Sequence, residues 1–254
     1  MKKLTLATVL LLTTTLVAFA QQSKIIAHRG AWKHTHAPQN SIASLQEAIK
    51  QKVWGSEFDV HLTKDDILVV NHDNDFYGLD IATSTYEELL TKKHPNGESI
   101  PTAEEYLKEG LKQKNTKLIY ELKTNRLGVE RTLQAVQQSY DLVKRLKAKD
   151  MVEFIAFSYE ACLKFRELDK KAKIHYLSSD KAPQEIYNAQ LSGIDYHLSV
   201  FKKNNDWIKQ AKALKLKTNV WTVNSTEDMQ FFIDRKIDYI TTDEPESLYK
   251  LLNP

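Results

Sequence analysis

GSEFDVHLTKDDILVVNHD, residues 55–73, is the stretch that decides the fold. Residues 55–62 read as a β-strand. The four-residue turn TKDD (63–66) leaves no room for a helix before the next apolar run, ILVVNHD (67–73). A strand returning after so short a turn is antiparallel to the first, so 67–73 is a hairpin arm added to strand 55–62. Outward from it, the other β-rich runs are KIIAHRG (24–30), KLIYELK (117–123), EFIAFS (153–158), KIHYLSS (173–179), IDYHLSV (194–200), TNVWTVN (218–224) and IDYITTD (237–243). Helix-like stretches alternate with them, among them 41–52, 129–150, 206–215 and 226–236. In the second, Val129, Leu133, Val136, Tyr140 and Val143 recur at three- and four-residue steps and predict an apolar stripe. Asn40 or Ser41, and Ser225 with Thr226, stand where N-caps are expected. Within 74–116, 84–90 and 102–114 read as helical and 93–101 as a loop. Eight strands alternating with helices predict a (β/α)₈ TIM-type barrel with a β-hairpin extension after the second strand. A doubly wound open sheet is the alternative.

The chain has 254 residues, 42% hydrophobic, with only 7 Gly and 6 Pro, which suits one domain with a substantial core and no long linker. It opens MKKLTLATVLLLTTTLVAFA: two lysines, an apolar run too short and threonine-rich for a span, and Ala18-Phe19-Ala20 as a cleavage pattern. Residues 1–20 are therefore expected to be a signal peptide, 21–254 the barrel domain, and the mature protein exported, periplasmic or extracellular, without a stable membrane anchor. Loss of the leader's two lysines lowers the formal charge from +3 to +1, so nothing in the charge suggests nucleic-acid binding. Cys162, the only cysteine, sits in a helical stretch and reads as a small core residue. The oligomeric state is not legible.

Polar residues collect at the C-terminal ends of the strand runs: His28 and Arg29, His72 and Asp73, Glu121 and Lys123, Trp221 and Asn224, and Asp243, with Glu57 and Asp59 inside the second strand. In a barrel these ends converge on one mouth. Glu57 and Asp59, two apart on a strand, share one face. With Glu121 from the neighbouring strand they form an oxygen set suited to Mg²⁺ or Ca²⁺; no close His/Cys pair accompanies them to favour zinc. The plainer alternative turns both carboxylates outward as solvated charges. His28 and His72 are either proton carriers or structural imidazoles. Arg29 and Lys123 either hold an anion or pair with the neighbouring carboxylates. Trp221 either floors a pocket or belongs to the core.

AHRGAWKHTHAPQNSIASLQEAI (27–49), EFDVHLTKDDILVVNHD (57–73), SIPTAEEYL (99–107), IYELK (119–123), VWTVN (220–224) and ITTDEP (240–245) occur in this order. The series resembles the glycerophosphodiester phosphodiesterase family. The resemblance implies that Glu57, Asp59 and Glu121 bind a divalent metal, Mg²⁺ or Ca²⁺, and that His28 and His72 form the general acid/base pair. It implies that Arg29 and Lys123 hold phosphate, and that Trp221 lines the alcohol side. The implied reaction is hydrolysis of a small-molecule glycerophosphodiester to sn-glycerol 3-phosphate and an alcohol, with the glycerol 2-hydroxyl attacking phosphorus first. Gln39 stands where the family usually has Glu, and Asp66 where it commonly has Gly. The 73–120 stretch is shorter than in relatives with a glycerol-covering insertion, which implies an open mouth. Two rivals stand beside this reading: a sphingomyelinase D-like or phospholipase C-like phosphodiesterase, and a non-catalytic phosphate-ester binding protein.

Overall fold

Period-two alternation along each strand gives it two faces, and both are buried. On one face Phe58, Val60, Tyr120, Phe154 and Tyr196 join the helices in the main core. On the other Ile26, Ile119, Ile155, Leu177 and Tyr239 form a smaller cluster with Trp54 and Trp221. Each fully buried large side chain contributes about 1.5–3 kcal/mol. A parallel sheet buries both faces either between two helix layers or closed on itself with helices outside, and the strand order decides between them.

The computed structural model describes residues 22–253; the expected signal peptide, 1–20, lies outside them. The strands are β1 (Lys24–Ala27), β2 (Gly55–Leu62), β3 (Leu68–Val70), β4 (Asp75–Phe76), β5 (Leu79–Asp80), β6 (Lys117–Leu122), β7 (Val152–Ala156), β8 (Ile174–Tyr176), β9 (Gly193–His197), β10 (Lys217–Trp221) and β11 (Tyr239–Thr242). All but β3, β4 and β5 are parallel neighbours in the order β1-β2-β6-β7-β8-β9-β10-β11, and β1 closes the ring against β11. The (β/α)₈ barrel is thus present. The hairpin is too: β3 runs antiparallel to β2, with Val60 opposite Val70.

Three details depart from the sequence expectation. The 194–200 run stops being a strand at His197, whose Nδ1 accepts from the Ser199 backbone N–H at 3.3 Å and so turns Leu198–Lys203 into helix α7. Helix α4 (Val129–Arg145) buries Thr132, Ala135, Val136, Ser139, Tyr140 and Val143, while Val129 is 53% exposed. Val129 opens the first turn, beyond the reach of the barrel wall. A small hairpin, β4–β5, turns at Tyr77-Gly78, both with positive φ (49° and 86°), as a two-residue hairpin loop requires. The expected helices in 84–114 are α2 (Tyr86–Leu89) and α3 (Ala103–Gly110). Cys162 is buried in α5 (Tyr159–Leu168).

Candidate active site

Strand β2 aims Glu57, Asp59 and His61 into the barrel because its alternate residues, Phe58, Val60 and Leu62, are drawn outward to the helices. Glu121 arrives from β6, where it pairs with Asp59 across the parallel ladder. Ligand atoms of Glu57, Asp59 and Glu121 all lie within 4.8 Å of one another, and all three residues are buried. The inward orientation therefore holds, and the solvated-surface alternative does not.

Several groups fix these carboxylates. Asn40 donates from Nδ2 to Asp59 Oδ2 at 2.8 Å, and its Oδ1 accepts the Asp59 backbone N–H at 3.0 Å. The Arg29 backbone N–H donates to Glu57 Oε2 at 2.8 Å. Lys123 Nζ lies 3.1 Å from Asp59 Oδ1 and 2.8 Å from Glu121 Oε1, and Arg29 Nε lies 3.8 Å from Asp59 Oδ2. Both cations thus pair with neighbouring carboxylates. The helix before β2, α1 (Ile42–Lys50), is capped by Ser41, which leaves the Asn40 side chain free for Asp59. Arg29 and Asn40 both have φ near +60°, and Asn40 N–H donates to Arg29 O at 3.0 Å, so the loop between them closes on itself and delivers both groups. Gly30, at φ +81°, lies against Ser44, and a Cβ there would come within 2.4 Å of the Ser44 hydroxyl.

Charge crowding marks this cluster electrostatically. Burial, then Asp59 and Glu121, push the Glu57 carboxyl well above its ordinary range. Burial and then Asp59 push Glu121 up to about 7. Burial opposes ionisation of Asp59 as well, but Lys123, His72, Asn40 and Arg29 together bring it down to about 2. Glu57 Oε1 is buried with no hydrogen-bond partner among the described residues. An unpaired buried carboxylate oxygen beside two more carboxylates is the donor set a hard divalent cation takes. The residues fit the group the sequence suggests.

His28 follows β1 and His72 follows β3. His28 Nδ1 lies 2.7 Å from Asp243 Oδ1, and Asp243 is held in turn by Asn224 Nδ2 at 2.7 Å. His72 Nδ1 lies 2.7 Å from Asp73 Oδ1, and His61 Nε2 reaches the His72 carbonyl at 3.2 Å. A carboxylate at Nδ1 favours the tautomer that leaves Nε2 available as a base. Burial lowers the His72 pKa, outweighing Asp59. His28, Arg29, Glu57, His72, Glu121, Lys123 and Trp221 all line one cavity of about 90 Å³. Ile155, Phe157, Leu177 and Asp195 complete its other side. Arg29 and His72 also border a wider groove of about 540 Å³ at the mouth, lined in part by Trp32, Gln39 and Tyr77. All eight residues expected at the site meet here; Asp59 reaches it through its contacts with Lys123 and Arg29.

The sequence reading placed Asn224 at the mouth without giving it a role, and did not single out Asn40, His61 or Asp195 as site residues. His61 was within reach, as the third member of the Glu57, Asp59 alternation. Asp195 carried a weaker sign, a carboxylate inside an otherwise apolar strand run.

A parallel barrel whose mouth gathers three buried carboxylates, two carboxylate-held histidines and two cations is built for hydrolytic chemistry on an anionic ester, with a carboxylate set that could hold a divalent ion. Residues 28–247 match the glycerophosphoryl diester phosphodiesterase family, and the chain belongs to it. It is an enzyme of that family, a phosphoric diester hydrolase. A glycerophosphodiester phosphodiesterase of Parabacteroides distasonis is similar in structure, with a TM-score of 0.89 and 44% identity, over 91% of this chain and 97% of that one. A glycerophosphodiester phosphodiesterase of Caldanaerobacter subterraneus is 28% identical, over 90% of this chain and 97% of the relative. An Oleispira antarctica phosphodiesterase, solved in complex with its product sn-glycerol-3-phosphate, shares the fold at a TM-score of 0.80 and 23% identity, over 92% of this chain and 98% of that one.

Proposed function

We propose that this enzyme hydrolyses glycerophosphodiesters to sn-glycerol 3-phosphate and an alcohol, with a divalent cation, Mg²⁺ or Ca²⁺, held by Glu57, Asp59 and Glu121. The observation that carries the reading is the convergence of those three buried carboxylates on one point beside His28 and His72. The product bound by the Oleispira enzyme supports the choice of substrate class. The cation, when bound, offsets charge on the phosphoryl oxygens. Arg29 and Lys123 add positive charge on the same side, and Arg29 offers a planar fork to phosphate oxygens. One histidine takes the proton of the attacking oxygen at Nε2, and the other returns a proton to the leaving alcohol. Asp243 and Asp73 hold the two rings in place. Trp221 and Phe157, ring centroids 5.6 Å apart, bound the alcohol side and exclude water.

A lipid-surface phosphodiesterase is the weaker reading, because Phe76 is 2% exposed in its own core cluster and leaves Tyr77 alone at that rim. The test is release of glycerol 3-phosphate from purified protein with sn-glycero-3-phosphocholine, before and after chelation. Turnover is expected to vanish with chelator and to return with Mg²⁺ or Ca²⁺. Full activity in the chelated protein would overturn the metal assignment, and no activity under any ion would favour a binding protein. Export is part of the same proposal, and its support is the basic, apolar, Ala-x-Ala start of the sequence. N-terminal sequencing of the secreted protein should then begin at Gln21, and an intact Met1 there would refute it.

A further inference from the structure

The geometry points to Asp195 as a specificity-determining residue, whose free carboxylate oxygen accepts a hydrogen bond from a hydroxyl of the bound diester. This assignment rests on the phosphodiester reading above. Asp195 sits on β9, four strands from β2 in either direction around the ring, so it faces Glu57 and Asp59 across the pocket. It is 2% exposed, its Oδ1 has no hydrogen-bond partner among the described residues, and the residue lines the same cavity as His28, Arg29 and Lys123. A buried polar oxygen without a partner is costly and is normally answered by one.

Among the described residues no donor meets that oxygen in hydrogen-bond geometry. Ile155, Phe157 and Leu177 are apolar, and the Trp221 indole N–H donates to the Asp195 backbone carbonyl at 2.9 Å rather than to its side chain. Asn219 approaches the Asp195 carboxylate and opposes the effect of its burial, but its Nδ2 donates to Thr241 at 2.9 Å, and His175 turns Nε2 to Glu153 at 3.2 Å with Nδ1 unpaired among the described residues. Lys123, which lines the same cavity, is held between Asp59 and Glu121. Burial raises the Asp195 carboxyl to about 6, against Asn219 and His175, so above that pH it is an acceptor only.

The ligand atom opposite Asp195 must therefore be a donor and must not be anionic. Phosphate oxygens are excluded by like charge and belong with Arg29 and Lys123. A hydroxyl of the glycerol portion meets both conditions, and the cavity of about 90 Å³ admits only a few non-hydrogen atoms. A site built around a buried acceptor rejects analogues that lack the matching donor, because the acceptor is then left unpaired.

The experiment compares sn-glycero-3-phosphocholine, which carries glycerol hydroxyls, with bis(4-nitrophenyl) phosphate, which carries none. In Asp195→Ala the ratio of kcat/KM for the first substrate over the second should fall about 10- to 100-fold, the scale of one hydrogen bond to a charged group. The isosteric Asp195→Asn, which keeps the shape of the site, should lower the ratio less, and circular dichroism checks that both variants fold. An unchanged ratio, whether both activities fall together or neither falls, would overturn the assignment. Wild-type protein that hydrolyses neither diester would instead refute the phosphodiester reading itself.

Discussion

The two walls of the catalytic pocket are made by the same alternation of strand residues and carry opposite chemistry. From β1, β2 and β6 and the residues that directly follow β1 and β6 come His28, Arg29, Glu57, Glu121 and Lys123. From β7 to β10 come Ile155, Phe157, Leu177 and Trp221, with Asp195 the one carboxylate among them. The difference separates tasks. Charges that bind an ion and move protons act more strongly against a wall that excludes water, since a low dielectric enlarges every interaction across it. The apolar wall reads the organic part of the substrate and leaves the charged wall to the phosphate.

Loss of proton transfer is the severest way to break this division. His28→Ala and His72→Ala should each lower kcat by about 10²–10⁴-fold, while calorimetric titration finds ion affinity little changed. Near wild-type turnover in either variant would make that histidine structural.

A smaller effect belongs to Asn40, which touches only the charged wall. Asn40→Ala removes both hydrogen bonds that hold Asp59 and should weaken ion binding about 10–100-fold, as loss of a ligand's supporting partner does. If affinity is unchanged, Lys123 and Arg29 suffice to fix Asp59.

The carboxylates also give the charged wall a pH signature. Because the folded state raises Glu57 and brings Glu121 to about 7, it favours their protonated forms. Their contribution is greatest below the ordinary value of 4.5 and is lost as pH rises through about 7. Asp59 has the opposite sign, but its change falls below 3.8, outside that window. The gap in melting temperature between Mg²⁺- or Ca²⁺-loaded and chelated protein should therefore widen between pH 5 and 8. Parallel curves with and without ion would detach the ion from these carboxylates.

The smallest expected effect lies on the apolar wall. Trp221→Phe keeps an aromatic face but loses the N–H bond to Asp195 O, worth about 1 kcal/mol. KM for the diester should rise about fivefold with kcat nearly intact. A loss confined to kcat would place Trp221 with the proton-transfer machinery.

Much of the charged wall was legible in the sequence, because charged residues at strand ends conflict with burial and so stand out. Glu57, Asp59 and Glu121 are conspicuous in apolar runs, and alternation alone puts two of them on one face. The apolar wall was nearly silent: Ile155, Phe157 and Leu177 look like any core residue, and only closure of the barrel decides which face looks into the cavity. Asn40 was misleading for another reason. It stands next to a helix start, where Asn is a good cap, and Ser41 takes that position instead. The end of the 194–200 run was hidden because an imidazole acting as an N-cap has no strong sequence signal.

The hairpin and the barrel seam assemble the site over very different distances along the chain. Glu57, Asp59 and His72 are brought together by a turn of four residues, a closure with little entropic cost. His28 meets its partner Asp243 across 215 residues, and only when β1 docks on β11. During refolding the carboxylate and histidine of the hairpin can meet early, while His28 acquires its orienting partner last. Recovery of turnover therefore times the sealing of the ring, not the appearance of secondary structure.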